Sequence, residues 1–119
     1  MNRIIYCVIL AFLSFSFFRF PHKIVGHWIS KGPDNSTVEL DFNSNESFKV
    51  TVNGATENEG TYHFKKDLFT MYDKNCGTSI PGNYKIIFYT EDSASFKLIA
   101  DSCTDRAGEV NGGIIKRVR

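Results

Sequence analysis

From residue 25 onward the chain is written in short runs that alternate apolar and polar side chains, broken by turn-forming residues. Residues 37–42 are the clearest case: Val38, Leu40 and Phe42 fall on one face, Thr37, Glu39 and Asp41 on the other. A two-residue period belongs to a half-buried strand, because successive side chains point to opposite faces. The same period recurs in residues 25–30, 48–52, 60–64, 68–72, 83–90, 95–101 and 109–118. No segment carries the helical period. The eight runs start about 12 residues apart on average, the spacing of an all-β sandwich or barrel.

The connections favour the barrel. Residues 31–36 (Lys-Gly-Pro-Asp-Asn-Ser), 43–46 and 65–67 are polar turn signals, and Asn53-Gly54 opens a turn expected to run to Asn58. Residues 91–94 form another such turn. The longest connection is the loop 73–81. Short loops cannot cross a sheet, so strands adjacent in sequence pair as antiparallel neighbours. Closing the sheet then removes its exposed edges. The expected fold is an all-β, eight-stranded antiparallel up-and-down β-barrel, formed by residues 24–119. Residues 102–108 are expected to be a loop, and Gly112-Gly113 to interrupt the eighth strand.

The first residues are of another kind. Met1-Asn2-Arg3 is a short basic start, and Ile4 to Phe18 is an apolar run relieved only by serine. This is the pattern of a secretory signal peptide. Ser14 and Ser16 place small residues for a cut that makes residues 1–16 the signal, with cleavage as far as residue 21 as the outer bound. The run falls short of the roughly 20 residues a spanning helix needs, so no stable membrane span is expected after cleavage.

Removing the signal also changes the charge. Of the chain's 14 basic residues, Arg3 and Arg19 lie at the start, while all 13 acidic residues follow them. The remainder is close to neutral, with neither the basic patch of a nucleic-acid binder nor the polybasic cluster of a membrane-surface protein. The chain is expected to be exported, periplasmic or secreted, and monomeric.

Cys7 leaves with the signal, which leaves Cys76 and Cys103. An even cysteine count in a small exported domain reads as a disulfide. In an up-and-down barrel, the loops after strands one, three, five and seven share an end. Cys76 follows the fifth run and Cys103 the seventh, so both lie at that end and can bond. Such a closed loop contributes roughly 3–4 kcal/mol by the loop-entropy model. Zinc would need further ligands at suitable spacing, and no histidine lies in these loops; neither a metal nor a cofactor is expected. At the opposite end, the first strand begins with Gly26-His27-Trp28 and the last finishes with Arg117. A guanidinium there can stack on the indole and close a structural floor, with Gly26 leaving room for the indole to lie across it.

Several of these residues also form a pattern. Gly26-His27-Trp28, the Gly82-Asn83-Tyr84 and Phe96-Lys97-Leu98 strands, and Asp101-Ser102-Cys103-Thr104-Asp105-Arg106 resemble the lipocalin-like family of the calycin superfamily, in particular its short exported bacterial members. Arg117 is placed like the arginine that covers the family's Trp. The resemblance implies a barrel open at the cysteine end and a binding role.

Three functions follow for testing. The first is a small apolar ligand in the barrel. The inward faces carry Phe42, Phe48, Tyr62, Phe64, Tyr84, Phe88 and Phe96, and Tyr62, Tyr84, Phe48 and Phe88 are the candidate ligand contacts, the two phenols serving as polar handles. The second is a protein partner, as for an enzyme inhibitor, held by the disulfide-tethered loops. The third is a filled structural barrel without a ligand. Catalysis is not expected. Asp73, Asp101, Asp105 and Glu109 fall near the cysteine end, but no nucleophile–base pair accompanies them, and Asp101 with Arg106 reads as a loop ion pair. His27 and His63 face outward. Asn35-Ser-Thr37 and Asn45-Glu-Ser47 match the N-glycosylation sequon and lie at turns.

Overall fold

The computed structural model describes residues 22–119; the signal segment, its cleavage site and Cys7 lie outside the described residues. Eight strands form one closed antiparallel barrel in sequence order: β1 (Gly26–Lys31), β2 (Thr37–Phe42), β3 (Ser47–Val52), β4 (Ala55–Lys65), β5 (Leu68–Asp73), β6 (Gly77–Thr90), β7 (Ser93–Asp101) and β8 (Ile114–Arg117). Closure is made by β8, which pairs with β7 on one side and with β1 on the other, Trp28 lying opposite Arg117.

The alternation in the sequence becomes the inside and outside of the barrel. Phe42, Phe48, Tyr62, Tyr84 and Phe96 are buried, and Phe64 and Phe88 pack against them from partly buried positions. The fifth strand has its phase fixed by Phe69 and Met71, which point inward with Asp73. Phe42 and Phe69 meet edge to face at 5.6 Å, and Phe69 meets Phe96 at 5.4 Å. Such edge-on aromatic pairs add to the burial of their area.

Four expectations need correction. The turn after β3 does not reach Asn58. Asn53 and Gly54 alone make it, at φ 49° and 86°, and β4 begins at Ala55. Positive φ at both positions matches the natural twist of a hairpin, and a register shift between Val50 and Thr51 takes up the spare residue. The loop 73–81 shrinks to residues 74–76, because β5 extends to Asp73 and β6 starts at Gly77. The turn at 91–94 is likewise tighter: β7 begins at Ser93, and Ala94 is a core residue.

The fourth correction is a helix. Thr104–Val110, read as loop and strand, forms α1, and β8 is confined to Ile114–Arg117. A seven-residue segment with an internal glycine has little reason to be helical alone. Its ends are supplied by the fold. The Ala107 N–H donates to the carbonyl of Cys103, and after the last turn Asn111 and Gly113 N–H donate to the Ala107 and Val110 carbonyls. Arg106, on its inner side, is 3% exposed. Tertiary anchoring therefore makes this helix.

Candidate functional site

Cys76 and Cys103 are joined, with their Cα atoms 6.0 Å apart. The bond links the β5–β6 turn to the residue that precedes α1. Beneath it lies a buried polar cluster centred on Arg106. The guanidinium donates from Nε to Asp101 Oδ2 at 2.7 Å and from Nη2 to Asp101 Oδ1 at 2.8 Å. Nη1 donates to Asp73 Oδ2 at 3.2 Å, and Nη2 also reaches the Ile80 carbonyl at 2.9 Å. Each carboxylate in turn holds a half-cystine: Cys76 N–H donates to Asp73 at 2.8 Å, and Cys103 N–H to Asp101 at 2.9 Å.

Tyr84 completes the cluster, its hydroxyl donating to Asp101 Oδ2 at 2.5 Å. Burial first, and then the hydrogen bond to Asp101, push the Tyr84 phenol well above its ordinary range. Burial alone would raise the Asp101 carboxyl. The hydrogen bonds from Arg106, Tyr84 and the Cys103 N–H outweigh it and hold Asp101 below the usual carboxylate range. Gly82 admits this packing, because a Cβ there would come within 2.7 Å of Asp101 Oδ2 and 2.9 Å of Arg106 Nε. Among the described residues, no buried side-chain nitrogen or oxygen lacks a partner. A carboxylate held charged by an always-protonated guanidinium is an anchor for α1, and has no proton to give. Among the described residues no group of His, Cys, Asp and Glu is arranged to hold a metal ion.

Beside this anchor, α1 roofs an apolar pocket of about 100 Å³. The β2–β3 hairpin contributes Leu40, Phe42, Phe48 and Val50. The far wall is Phe69, Met71 and Phe96, and α1 supplies Val110 and Glu109 at the rim, with Gly113 beyond it. Below the pocket the barrel is filled: Trp28, Ile86 and Ile115 are each no more than 1% exposed.

The candidate ligand contacts do not converge here. Phe48 lines the pocket. The Tyr62 hydroxyl donates to the Asn43 carbonyl at 2.7 Å, in the β2–β3 turn at the opposite end. Tyr84 belongs to the Arg106 cluster. Phe88 lies near the floor, stacked on His22 at 4.4 Å and tilted against Trp28. The carboxylates of Asp73 and Asp101 are buried together, whereas Asp105 and Glu109 are exposed on α1. Among the pocket residues, Phe69, Met71 and Val110 were not among the expected inward side chains: the first two belong to the run 68–72, where apolar residues fall on both faces and leave the phase ambiguous, and the third to the unforeseen helix. Once Phe69 is known to point inward, the two-residue period of β5 places Met71 and Asp73 inward with it.

The floor holds Trp28 fully buried, with the Arg117 guanidinium 4.3 Å from its ring centre. Arg117 also donates to the Val25 and Lys23 carbonyls at 2.8 and 2.6 Å, and the indole N–H donates to the Ile24 carbonyl at 2.8 Å. Gly26 makes room for the guanidinium more than for the indole. At φ 142° it occupies a conformation few other residues adopt, and a Cβ there would lie 2.6 Å from Arg117 Nη1. His27 faces outward as expected, 2.5 Å from Asp41, and His63 pairs with Glu46 on the surface.

No family model matches this chain, and no curated protein sequence matches it. Among solved structures it is similar to the crystal structure of pallilysin from Treponema pallidum, at 12% identity and a TM-score of 0.49, over 81% of this chain and 79% of that one.

Proposed function

We propose that this chain is an exported, lipocalin-like barrel that binds a small apolar ligand at its mouth, and that it is a binding protein and not an enzyme. The observation that carries the reading is the pocket under α1, walled by aliphatic and aromatic side chains from β2, β3, β5 and β7. Its volume is two-thirds of the roughly 150 Å³ at which an engineered apolar cavity takes up benzene, and short of the ~300 Å³ at which drug-sized sites begin. A short chain or a single ring fits, with the remainder of the ligand at the rim. Export is supported by the signal-like start and by the Cys76–Cys103 bond.

A protein partner at the same end is the second reading. The exposed stretch from Thr78 to Pro81, beside the disulfide, favours it. Native mass spectrometry of protein purified from its own source separates the two. The first reading predicts a co-purifying apolar molecule of low mass, lost in Val110→Trp, which fills the pocket from the helix. A stoichiometric protein would support the second. Neither would leave a filled barrel, and would overturn both.

A further inference from the structure

The pocket described above has one charged group in its lining, and its sign selects among apolar ligands. Resting on the reading of that pocket as a ligand site, we propose that the ligand carries a cationic head, as an alkylammonium-type amphiphile does, with Glu109 as its counter-charge. Glu109 stands at the rim on the exposed side of α1. Among the described residues it has no ion-pair partner. An apolar tail in the pocket would bring its head group to this carboxylate.

An anionic head would find nothing to pair with there. The nearest base in sequence, Arg106, is buried and bound by Asp101, Asp73 and the Ile80 carbonyl. Lys74, on the β5–β6 turn at the same end, is paired with Glu59. That leaves Lys31, at the end of β1, as the exposed base of the mouth. Opposing it are Asp34 in the β1–β2 connection, Glu57 at the start of β4, and Asp105 and Glu109 on α1. The opposite end is nearly balanced, with Lys23, Lys65, Lys66, Arg117 and Arg119 against Glu46, Asp67, Glu91 and Asp92, the last paired with both arginines. The field at the mouth therefore repels an anion before it arrives and attracts a cation.

The test is an NMR titration of the intact barrel with n-hexylammonium, 1-hexanol and hexanoate at neutral pH and low salt, reading the resonances of Val50, Phe96 and Val110. Hexylammonium is expected to bind about threefold more tightly than hexanol, the size of one exposed ion pair, and hexanoate more weakly than either. The advantage of hexylammonium over hexanol should fade as salt is raised and vanish in Glu109→Gln. Equal affinity of hexylammonium and hexanol, or a preference that survives Glu109→Gln, would overturn the cationic head while leaving the apolar pocket in place. Failure of all three to move these resonances would remove the pocket reading and this inference with it.

Discussion

Arg106 and Asp101 meet through two parallel hydrogen bonds, at 2.7 and 2.8 Å, and both side chains are almost fully withdrawn from water. The pair fixes α1 to the end of β7, and Asp73 extends the same anchor to the end of β5. The roof of the pocket therefore owes its position to one guanidinium and one disulfide.

Arg106→Ala leaves two buried carboxylates without their cation. Breaking a buried pair from one side costs about 3–5 kcal/mol, and a loss of that size is expected in urea unfolding. Arg106→Lys should recover only part of it, since an ammonium cannot reproduce the two-pronged contact. A full rescue by lysine would show that charge alone suffices.

Stability should also fall in acid. Asp101 is held below the ordinary carboxylate range in the folded state, while the unfolded value is about 3.9. The folded state thus binds fewer protons than the unfolded one, and the contribution is complete above about pH 5 and lost as pH drops through the folded value. Asp101→Asn should be less stable than the parent at pH 7 and should lose less on going to pH 3. Melting temperatures at the two pH values give the comparison, and parallel losses in both proteins would contradict it.

Reduction of Cys76–Cys103 releases the closed loop. The loop-entropy model sets the loss at about 3–4 kcal/mol, expected both on treatment with a reductant and in the Cys76→Ala, Cys103→Ala variant. The Arg106 cluster remains, so folding should persist with the far-ultraviolet spectrum of a β protein. Circular dichroism and thermal melting under both redox conditions check this.

Gly26→Ala tests the floor. Its Cβ would collide with Arg117 Nη1 at 2.6 Å, at a φ that disfavours any side chain. A loss of about 1–3 kcal/mol is expected, with a red shift of Trp28 emission as the indole gains water. Unchanged emission and stability would mean that Arg117 moves aside without consequence.

The barrel was legible because its signal is repeated in every strand: Phe42, Phe48, Tyr62 and Phe96 sit on faces that the two-residue period marks. The disulfide followed from strand parity, which depends on the order of turns more than on their lengths. The helix was not legible. Thr104–Val110 has no helical stripe, and its folding rests on contacts from Arg106 to Asp73 and Asp101 that no local pattern encodes. The candidate ligand residues were chosen as inward aromatics, and inwardness alone does not say at what height a side chain lies. Strand shear and the roof of α1 place Phe48 at the pocket, Tyr62 and Phe88 toward the floor, and Tyr84 in the polar anchor.

In the proposed function the mouth, and not the filled interior, takes the apolar ligand. The most direct measurement is a two-dimensional NMR titration with 1-hexanol, following the amides of Phe48, Val50 and Val110 together with the Trp28 indole N–H. Saturable shifts at the three pocket amides and a stationary indole are expected. Shifts centred on Trp28, or none at the pocket at saturating hexanol, would contradict it.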